Sequence, residues 1–563
     1  MTTTDRADVA TEAQVDTAVD DLTRGARRWA VMGTAERITL LKRTHRAVAA
    51  ADDWAAAAIA AKNIPAGPLE GEEWMSGPYA TLTGIAAVTD SLKKIAVGKS
   101  PASGLKTRPA PGDRTAFAML PTDLFEFNLF NGFTAEVWLK PGVTAAEARR
   151  TAGLGALRLG DNGGVGLVLG AGNVSAIGPL DVLYELIAHN RVSILKLNPT
   201  FAGLTTAYET AFKPLIDADL LRIVNGGPDV GRYLTRHPGI DHIHITGSSN
   251  THDAIVWGPD SDKSGKPTLD KPITSELGGV SPIIVVPGNW DDEDLRYQAE
   301  HVATQRFHNC GHNCIGGQVL ILSEAWPQKD AFLAEIRRVV AGLPDRTSWY
   351  PGTEAKTAAA QASYPDAEVV TGRTLVRLDA NSSQDALTTE YFGPVLAHTE
   401  LPGTGLDFLR AAITFSNDKL DGTLGASMVI APADRTAMGS AFEEAVADLR
   451  YGTIGINVWS AVGFLMPALS WGAYPGNTLR EVGSGIGIVH NAHLLDKVER
   501  SIVNGPFRPF PRSIAGGEIA LSPKPAWFVT ARSAKGVAER LTRFAAHPSW
   551  AALPGIFNQA FRA

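Results

Sequence analysis

Val165-Gly166-Leu167-Val168-Leu169-Gly170-Ala171-Gly172-Asn173 is the stretch on which the fold turns. Five apolar residues in unbroken succession suit a strand buried on both faces, and the glycine-bearing turn ends it. Residues 178–189 then read as a helix, with Pro179 in its first turn, where a missing N–H costs nothing. Working outward, Val192–Leu197 is a strand ending at Asn198-Pro199, followed by a helix over 202–212 and a strand at Leu221–Val224. A helix to about Arg236 leads to the strand His242–Ile245 and then to Thr246-Gly247-Ser248-Ser249. This alternation predicts a doubly wound parallel sheet. Such sheets bind ligands beyond the carboxyl ends of their strands, where Asn173, Lys196 and Ser248 fall.

A second series begins after Glu276-Leu277-Gly278-Gly279. Strands are expected at Ile283–Val286, Val319–Leu322, Leu396–Glu400, Ser427–Ile430 and Thr453–Val458. Helices over 291–308, 328–341, 405–416 and 435–448 alternate with them. A large ligand and the chemistry belong in a cleft between two such units. Before the first unit, Glu12–Lys62 and Trp74–Ile95 read as helical, residues 1–12 as a frayed tail and 98–114 as loop. Thr134–Leu139 reads as a strand able to join a partner subunit's sheet, with a helix over 145–159 behind it. Past Asn491 five prolines between Pro506 and Pro525 predict irregular chain, with a helix over 534–544.

At roughly 150 residues per domain, 563 residues make three or four units, or two large α/β ones with additions. Hydrophobic residues at 44% and charged ones at 20% are those of a globular protein with ample core. A net charge of −7 counts against a general binder of nucleic acid or anionic membrane. The polar start lacks an apolar leader segment, and no run is apolar enough to span a bilayer, so a cytoplasmic location is expected.

Both cysteines lie in Phe307-His308-Asn309-Cys310-Gly311-His312-Asn313-Cys314-Ile315-Gly316-Gly317. Two cysteines build no disulfide framework and fit a reducing compartment. Cysteine is often only a small buried hydrophobe. His308, Cys310, His312 and Cys314 alternate unlike the paired ligands of structural zinc, so no metal is expected. A Cys310–Cys314 bridge is the remaining bland alternative. A nucleophile at Cys314 requires a base and an oxyanion donor from elsewhere in the chain.

Thr274-Ser275-Glu276-Leu277-Gly278-Gly279, and Phe307-x-Asn309-x-Gly311 running to Cys314, supply the first of these signals. Asn173, Lys196, Thr246-Gly247-Ser248 and Glu390-Tyr391-Phe392-Gly393-Pro394-Val395 follow in matching order. Together they resemble the aldehyde dehydrogenase superfamily across roughly residues 12–490, in the hydrolytic form with a longer C-terminal extension. The resemblance implies two doubly wound α/β domains, one Rossmann-like for the cofactor and one catalytic. The expected division is 1–130, the helical part of the cofactor domain; 131–160, a bridging or oligomerisation element; 161–277, the Rossmann-like domain; 278–465, the catalytic domain; and 466–563, a return to the cofactor and oligomerisation region with the extension.

The resemblance further implies that an ionised Cys314 attacks an aldehyde, that Asn173 and the Cys314 N–H hold the oxyanion, and that Glu276 is general base for hydrolysis. NAD or NADP would lie along Lys196, Asn198, Gly247, Ser248, Gly278, Glu390 and Phe392, and the assembly would be a homodimer or homotetramer. Three departures stand out. His312 occupies a usual glutamine, His252 replaces the last glycine of the pyrophosphate turn, and Pro199 replaces the acid that repels a 2′-phosphate. Val174, Gly178 and Asp181 replace aromatics and suggest a bulky or long aldehyde. Rival readings are a coenzyme-A-acylating enzyme, against which Glu276 counts, and a catalytically silent member of the fold.

Overall fold

The computed structural model describes residues 9–382 and 384–563, so residues 1–8 of the expected tail lie outside the described part. A six-stranded sheet has the order Gly485–Ile486, Ile273–Leu277, His242–Gly247, Val165–Leu169, Val192–Lys196, Leu221–Val224. Its last five strands are parallel, and Gly485–Ile486 joins antiparallel. In chain order those five read 3-2-1-4-5 across the sheet, so the direction of winding reverses beside Val165–Leu169. Right-handed crossovers then send the helices to opposite faces and open a crevice at the reversal. Asn173 follows the strand on one side of that crevice, and Thr246 and Gly247 end the strand on the other.

The second sheet has eleven strands. At its centre Ser281–Val285 lies between Gly317–Ser323 and Gly425–Val429, all parallel. Ile283 and Val285 pack into one core and Ile284 into another, so the strand is buried on both faces, as its unbroken apolar run requires. The two α/β units therefore stand as the sequence predicts.

Three local expectations are corrected. Residues 98–114 are not all loop: Thr107–Ala110 and Arg114–Leu120 form a hairpin. Gly112 and Asp113 turn it with positive φ angles of 69° and 56°, and Pro109 is tolerated on an edge strand. The helix over 145–159 ends at Thr151, and a short 3₁₀ turn at Leu154–Leu157 follows it. Residues past Asn491 are not irregular throughout, because Val498–Asn504 is a strand of the large sheet.

Thr134–Leu139 pairs on one side with Val498–Asn504 and on the other with Arg114–Leu120. Both edges of the expected subunit-bridging strand are thus filled within its own chain. The free edges of this sheet are Thr107–Ala110 and Glu368–Val370.

Val498–Asn504 hides its nature because Glu499 and Arg500 interrupt the apolar pattern while being buried. The Arg500 Nη1 donates to the Leu449 and Val446 carbonyls at 2.6 and 3.1 Å. The Glu499 carboxylate accepts from Arg114 Nε at 2.7 Å, from Arg500 Nε at 3.0 Å and from the Tyr474 hydroxyl at 3.0 Å. Removing one partner of a buried ion pair strands the other, at about 3–5 kcal/mol. Glu499→Ala should therefore lower the urea midpoint by an amount corresponding to about 3 kcal/mol, with Glu499→Gln losing less.

Candidate functional site

The cysteine loop is a forced turn. Helix Asp292–Phe307 ends, and Asn309, Cys310 and Gly311 follow with φ of 53°, 56° and 79°. Left-handed backbone at two non-glycine residues costs on the order of 1–3 kcal/mol each and needs support. Asn309 supplies much of it. Its Nδ2 donates to the carbonyls of Asn173 and His312, both at 3.0 Å, and its Oδ1 accepts from Lys62 Nζ at 3.3 Å. Its backbone N–H donates to Glu72 Oε1 at 3.2 Å. Lys62 and Glu73 form a fully buried ion pair at 2.6 Å, and Arg346 holds Glu72 at 2.6 Å. At Gly311 a Cβ would stand 2.5 Å from the Gly393 carbonyl oxygen, so glycine is required there on both counts.

This turn sets the Cys314 thiol on Glu276, with Sγ 3.2 Å from Oε1. Glu276 lies in the strand Ile273–Leu277 of the other sheet, opposite Thr246. Its Oε1 also accepts from the Trp471 indole N–H at 3.1 Å, while its buried Oε2 has no partner. Burial is the main reason the carboxylate is pushed up to about 7, with Asp181 adding to the shift and the Cys314, Trp471 and His244 groups opposing it. Burial likewise raises the Cys314 thiol well above its ordinary value, and the Glu276 and Glu390 carboxylates raise it further. Both influences disfavour the ionised sulfur that the sequence reading expects. The Sγ–Oε1 contact is accordingly that of a thiol hydrogen-bonded to a carboxyl oxygen.

Asn173 Nδ2 donates to the His312 carbonyl at 3.0 Å, which ties this side chain to the cysteine loop and leaves one amide hydrogen free. Cys314 and Asn173 both line two cavities. One holds about 490 Å³ of atom-free space at the strand ends, between Gly247, Ser248, Gly278, Glu276, Glu390 and Phe392. The other, of about 960 Å³ with its mouth included, is apolar and bordered by Trp459, Phe464, Trp471 and Trp527.

The first cavity offers seats for a hydroxyl and an anion, as one end of a dinucleotide requires. Glu390 Oε1 is buried with no partner, which leaves an acceptor ready for a hydroxyl. Burial pushes this carboxyl up to about 7, against the pull of Lys356 and Arg306. A Cβ on Gly278 would fall 2.0 Å from that oxygen, so glycine makes the seat possible. Ser248 caps the helix Ser249–Trp257, accepting from the Thr251 N–H at 3.2 Å. Such a helix start favours anions. His252 is wholly buried and does not line the cavity.

Lys196 and Asn198 do not line it either. Asn198 spends its Oδ1 on the Thr200 N–H at 3.1 Å and packs against Gly172, where a Cβ would meet it at 2.5 Å. His312, held neutral with its pKa lowered to about 3 chiefly by burial, donates from Nδ1 to the Phe392 carbonyl at 2.8 Å. It thereby ties the loop of Phe392, whose φ is 48°, to the cysteine loop. Both cysteines are free; Cys310 Sγ faces Ser348 Oγ at 3.8 Å, so no bridge forms. Among the described residues no three His, Cys, Asp or Glu groups converge as a metal site.

Trp471, Tyr350 and Lys356 belong to the site and were not visible in the sequence. Trp471 sits in a two-residue strand paired with His490–Asn491, far from any motif. Trp349-Tyr350-Pro351-Gly352, an aromatic pair in a turn, is the one available signal for Tyr350.

A thiol between a strand-end nucleotide crevice and an apolar chamber defines a cofactor-linked cysteine site. The aldehyde dehydrogenase family model matches residues 164–469, more than half of the sequence, and this chain belongs to that family. Among curated proteins, N-succinylglutamate 5-semialdehyde dehydrogenase of Sphingopyxis alaskensis is 32% identical over 162 residues, 29% of this chain and 31% of that one. The chain thus matches about a third of that relative's length. The fold is shared with an NAD-dependent aldehyde dehydrogenase of Sinorhizobium meliloti, 20% identical at TM-score 0.58 over 88% of this chain and 87% of that one. It is also shared with an NADP-dependent glyceraldehyde-3-phosphate dehydrogenase of Bacillus halodurans, 18% identical at TM-score 0.58 over 88% and 91%. No helix among the described residues is long and apolar enough to cross a membrane.

The thiol–carboxyl pair shares protons, so it titrates as a unit. Alkylation of Cys314 by iodoacetamide should accelerate as pH rises through about 7, where Glu276 becomes able to accept the thiol proton. Glu276→Gln should remove that inflection, as read by peptide mass spectrometry.

Proposed function

We propose that this protein oxidises an aldehyde, bulky or long, to its carboxylic acid with NAD or NADP as hydride acceptor. The single observation that carries the reading is the 3.2 Å contact between Cys314 Sγ and Glu276 at the junction of the two cavities. The aldehyde enters from the apolar chamber. As the Cys314 sulfur bonds to the carbonyl carbon, its proton passes to Glu276. The free amide hydrogen of Asn173 and the Cys314 backbone N–H hold the negative oxygen of the thiohemiacetal. When bound, the nicotinamide supplies the hydride acceptor that turns this adduct into a thioester. Glu276, once it has released its proton, takes one from water as the hydroxyl adds to the thioester carbon. The carbon–sulfur bond then breaks, Glu276 returns that proton to the sulfur, and the acid leaves with the Cys314 thiol restored.

Gly247 and Ser248 would hold the cofactor's pyrophosphate, and Gly278, Glu390 and Phe392 its nicotinamide half. Lys196 and Asn198 would face the adenosine half. Pro199 puts no carboxylate beside the adenosine ribose, which supports taking either nucleotide. The reading keeps a homodimer or homotetramer as its assembly and a cytoplasmic location.

The test is turnover of an aldehyde panel with NAD and with NADP, read at 340 nm. Turnover should require no coenzyme A, and the acid formed in ¹⁸O-water should carry the label. Cys314→Ser should lower kcat by at least about 10³-fold, the scale on which loss of a nucleophile falls. Glu276→Gln should lower kcat and accumulate a thioester on Cys314, visible by intact mass. An obligate need for coenzyme A, or full activity of Cys314→Ser, would contradict the reading.

A further inference from the structure

The apolar chamber above Cys314 is not the end of the apolar space. A second chamber, of about 1260 Å³ with its mouth included, abuts it. Met75, Val462, Leu465, Ala526 and Trp527 line both and form the wall or neck between them. The second chamber lies between Phe130 and Phe133 of the segment leading into the Thr134–Leu139 strand and the chain beyond residue 520. Its far wall is Val537 and Leu541 of the helix Ala534–Ala546 and Ile556, Phe557 and Ala560 of the helix Leu553–Ala560.

The C-terminal segment that builds this chamber is anchored where it matters for the site. Arg508 Nε donates to Asp294 Oδ1 at 2.8 Å, the Val529 N–H to Thr304 Oγ1 at 3.1 Å, and Thr530 Oγ1 to Glu300 Oε2 at 2.7 Å. Gln298 Nε2 donates to the Phe507 carbonyl at 2.6 Å. All four partners lie on Asp292–Phe307, the helix that delivers the cysteine loop. On the other side the Leu521 N–H and Ser522 Oγ hold Asn131 at 2.8 and 2.6 Å. The segment is therefore fixed at both borders of the space it encloses.

The polar groups in that space are largely spent. Lys524 pairs with Glu300 at 3.3 Å, and Asn131 and Ser522 bond one another's segments. The Trp527 indole N–H is buried without an acceptor, on the side chain that lines both chambers. A buried unpaired donor costs about 1–3 kcal/mol, which an acceptor on an occupant would relieve.

We propose that the second chamber is a subsite for the far end of the aldehyde. The substrate is then an extended molecule, apolar over most of its length, with one hydrogen-bond acceptor oxygen where it passes Trp527. The inference rests on the aldehyde-oxidising reading and names its substrate class.

Each buried methylene contributes about 0.8 kcal/mol, or roughly fourfold. Across straight-chain aldehydes from butanal to dodecanal, kcat/KM should rise about fourfold per methylene over the lengths that cross the neck. Moving a single ether oxygen along a twelve-atom chain should reveal one position about fivefold better than the plain chain, and Trp527→Phe should erase that advantage. Ala560→Trp, which intrudes on the far chamber, should cut the dodecanal-to-butanal ratio of kcat/KM at least tenfold. A flat length series, or an unchanged ratio in Ala560→Trp, would overturn the subsite. An ether series with no favoured position would overturn the acceptor. Calorimetry with dodecanoate on the full-length Cys314→Ser protein separates the two readings. Binding without turnover of any aldehyde by the wild type would defeat the proposed reaction and leave the subsite standing. Turnover of butanal with no dodecanoate binding would do the reverse.

Discussion

The contact between the Cys314 sulfur and the Glu276 carboxyl is the constraint on which the site depends. It joins two independently wound sheets, for Glu276 ends a strand of one and Cys314 sits on a loop feeding a strand of the other. Burial drives both away from charge, and each carboxylate near the sulfur makes the thiolate harder to form. The proposed reaction draws on this contact, which sets an acceptor for the thiol proton 3.2 Å from the sulfur.

Holding that contact requires rigidity on both sides. On the cysteine side, consecutive left-handed residues are fixed by Asn309 and by the buried charges of Lys62, Glu72, Glu73 and Arg346. Ion pairs this deep contribute little net stability, since desolvation offsets their attraction. Their value here is positional. On the glutamate side, Trp471 fixes one carboxylate oxygen, and its own short strand is tied to His490–Asn491. His312, unexpected beside the nucleophile, bonds the Phe392 carbonyl and so couples the cysteine loop to the loop that borders the nucleotide crevice.

Legibility in the sequence followed the range of the interaction concerned. Val165–Leu169 and Val192–Lys196 announce themselves because their burial on both faces demands unbroken apolar runs. Val498–Asn504 does not, because Glu499 and Arg500 satisfy their charges against Arg114 and the Leu449 carbonyl, hundreds and tens of residues away. The Thr107–Leu120 hairpin is masked by prolines that an edge strand tolerates. At the candidate site, the convergence of Cys314, Glu276 and Asn173 was readable from the motifs that surround them. Trp471, Lys356 and Trp527 were not, because their roles arise only when distant segments pack together. The influences that disfavour an ionised sulfur were not readable for a related reason, since burial is a property of the fold and not of the loop.

The most direct measurement of this account is the thiolate absorbance near 240 nm, taken as the difference between wild type and Cys314→Ser across pH. A protonated, base-coupled thiol predicts no difference signal at pH 6 to 7 and a rise only well into the alkaline range. Glu276→Gln should bring that rise to lower pH by removing a neighbouring negative charge. A full thiolate signal already present at pH 6, unchanged by Glu276→Gln, would contradict it.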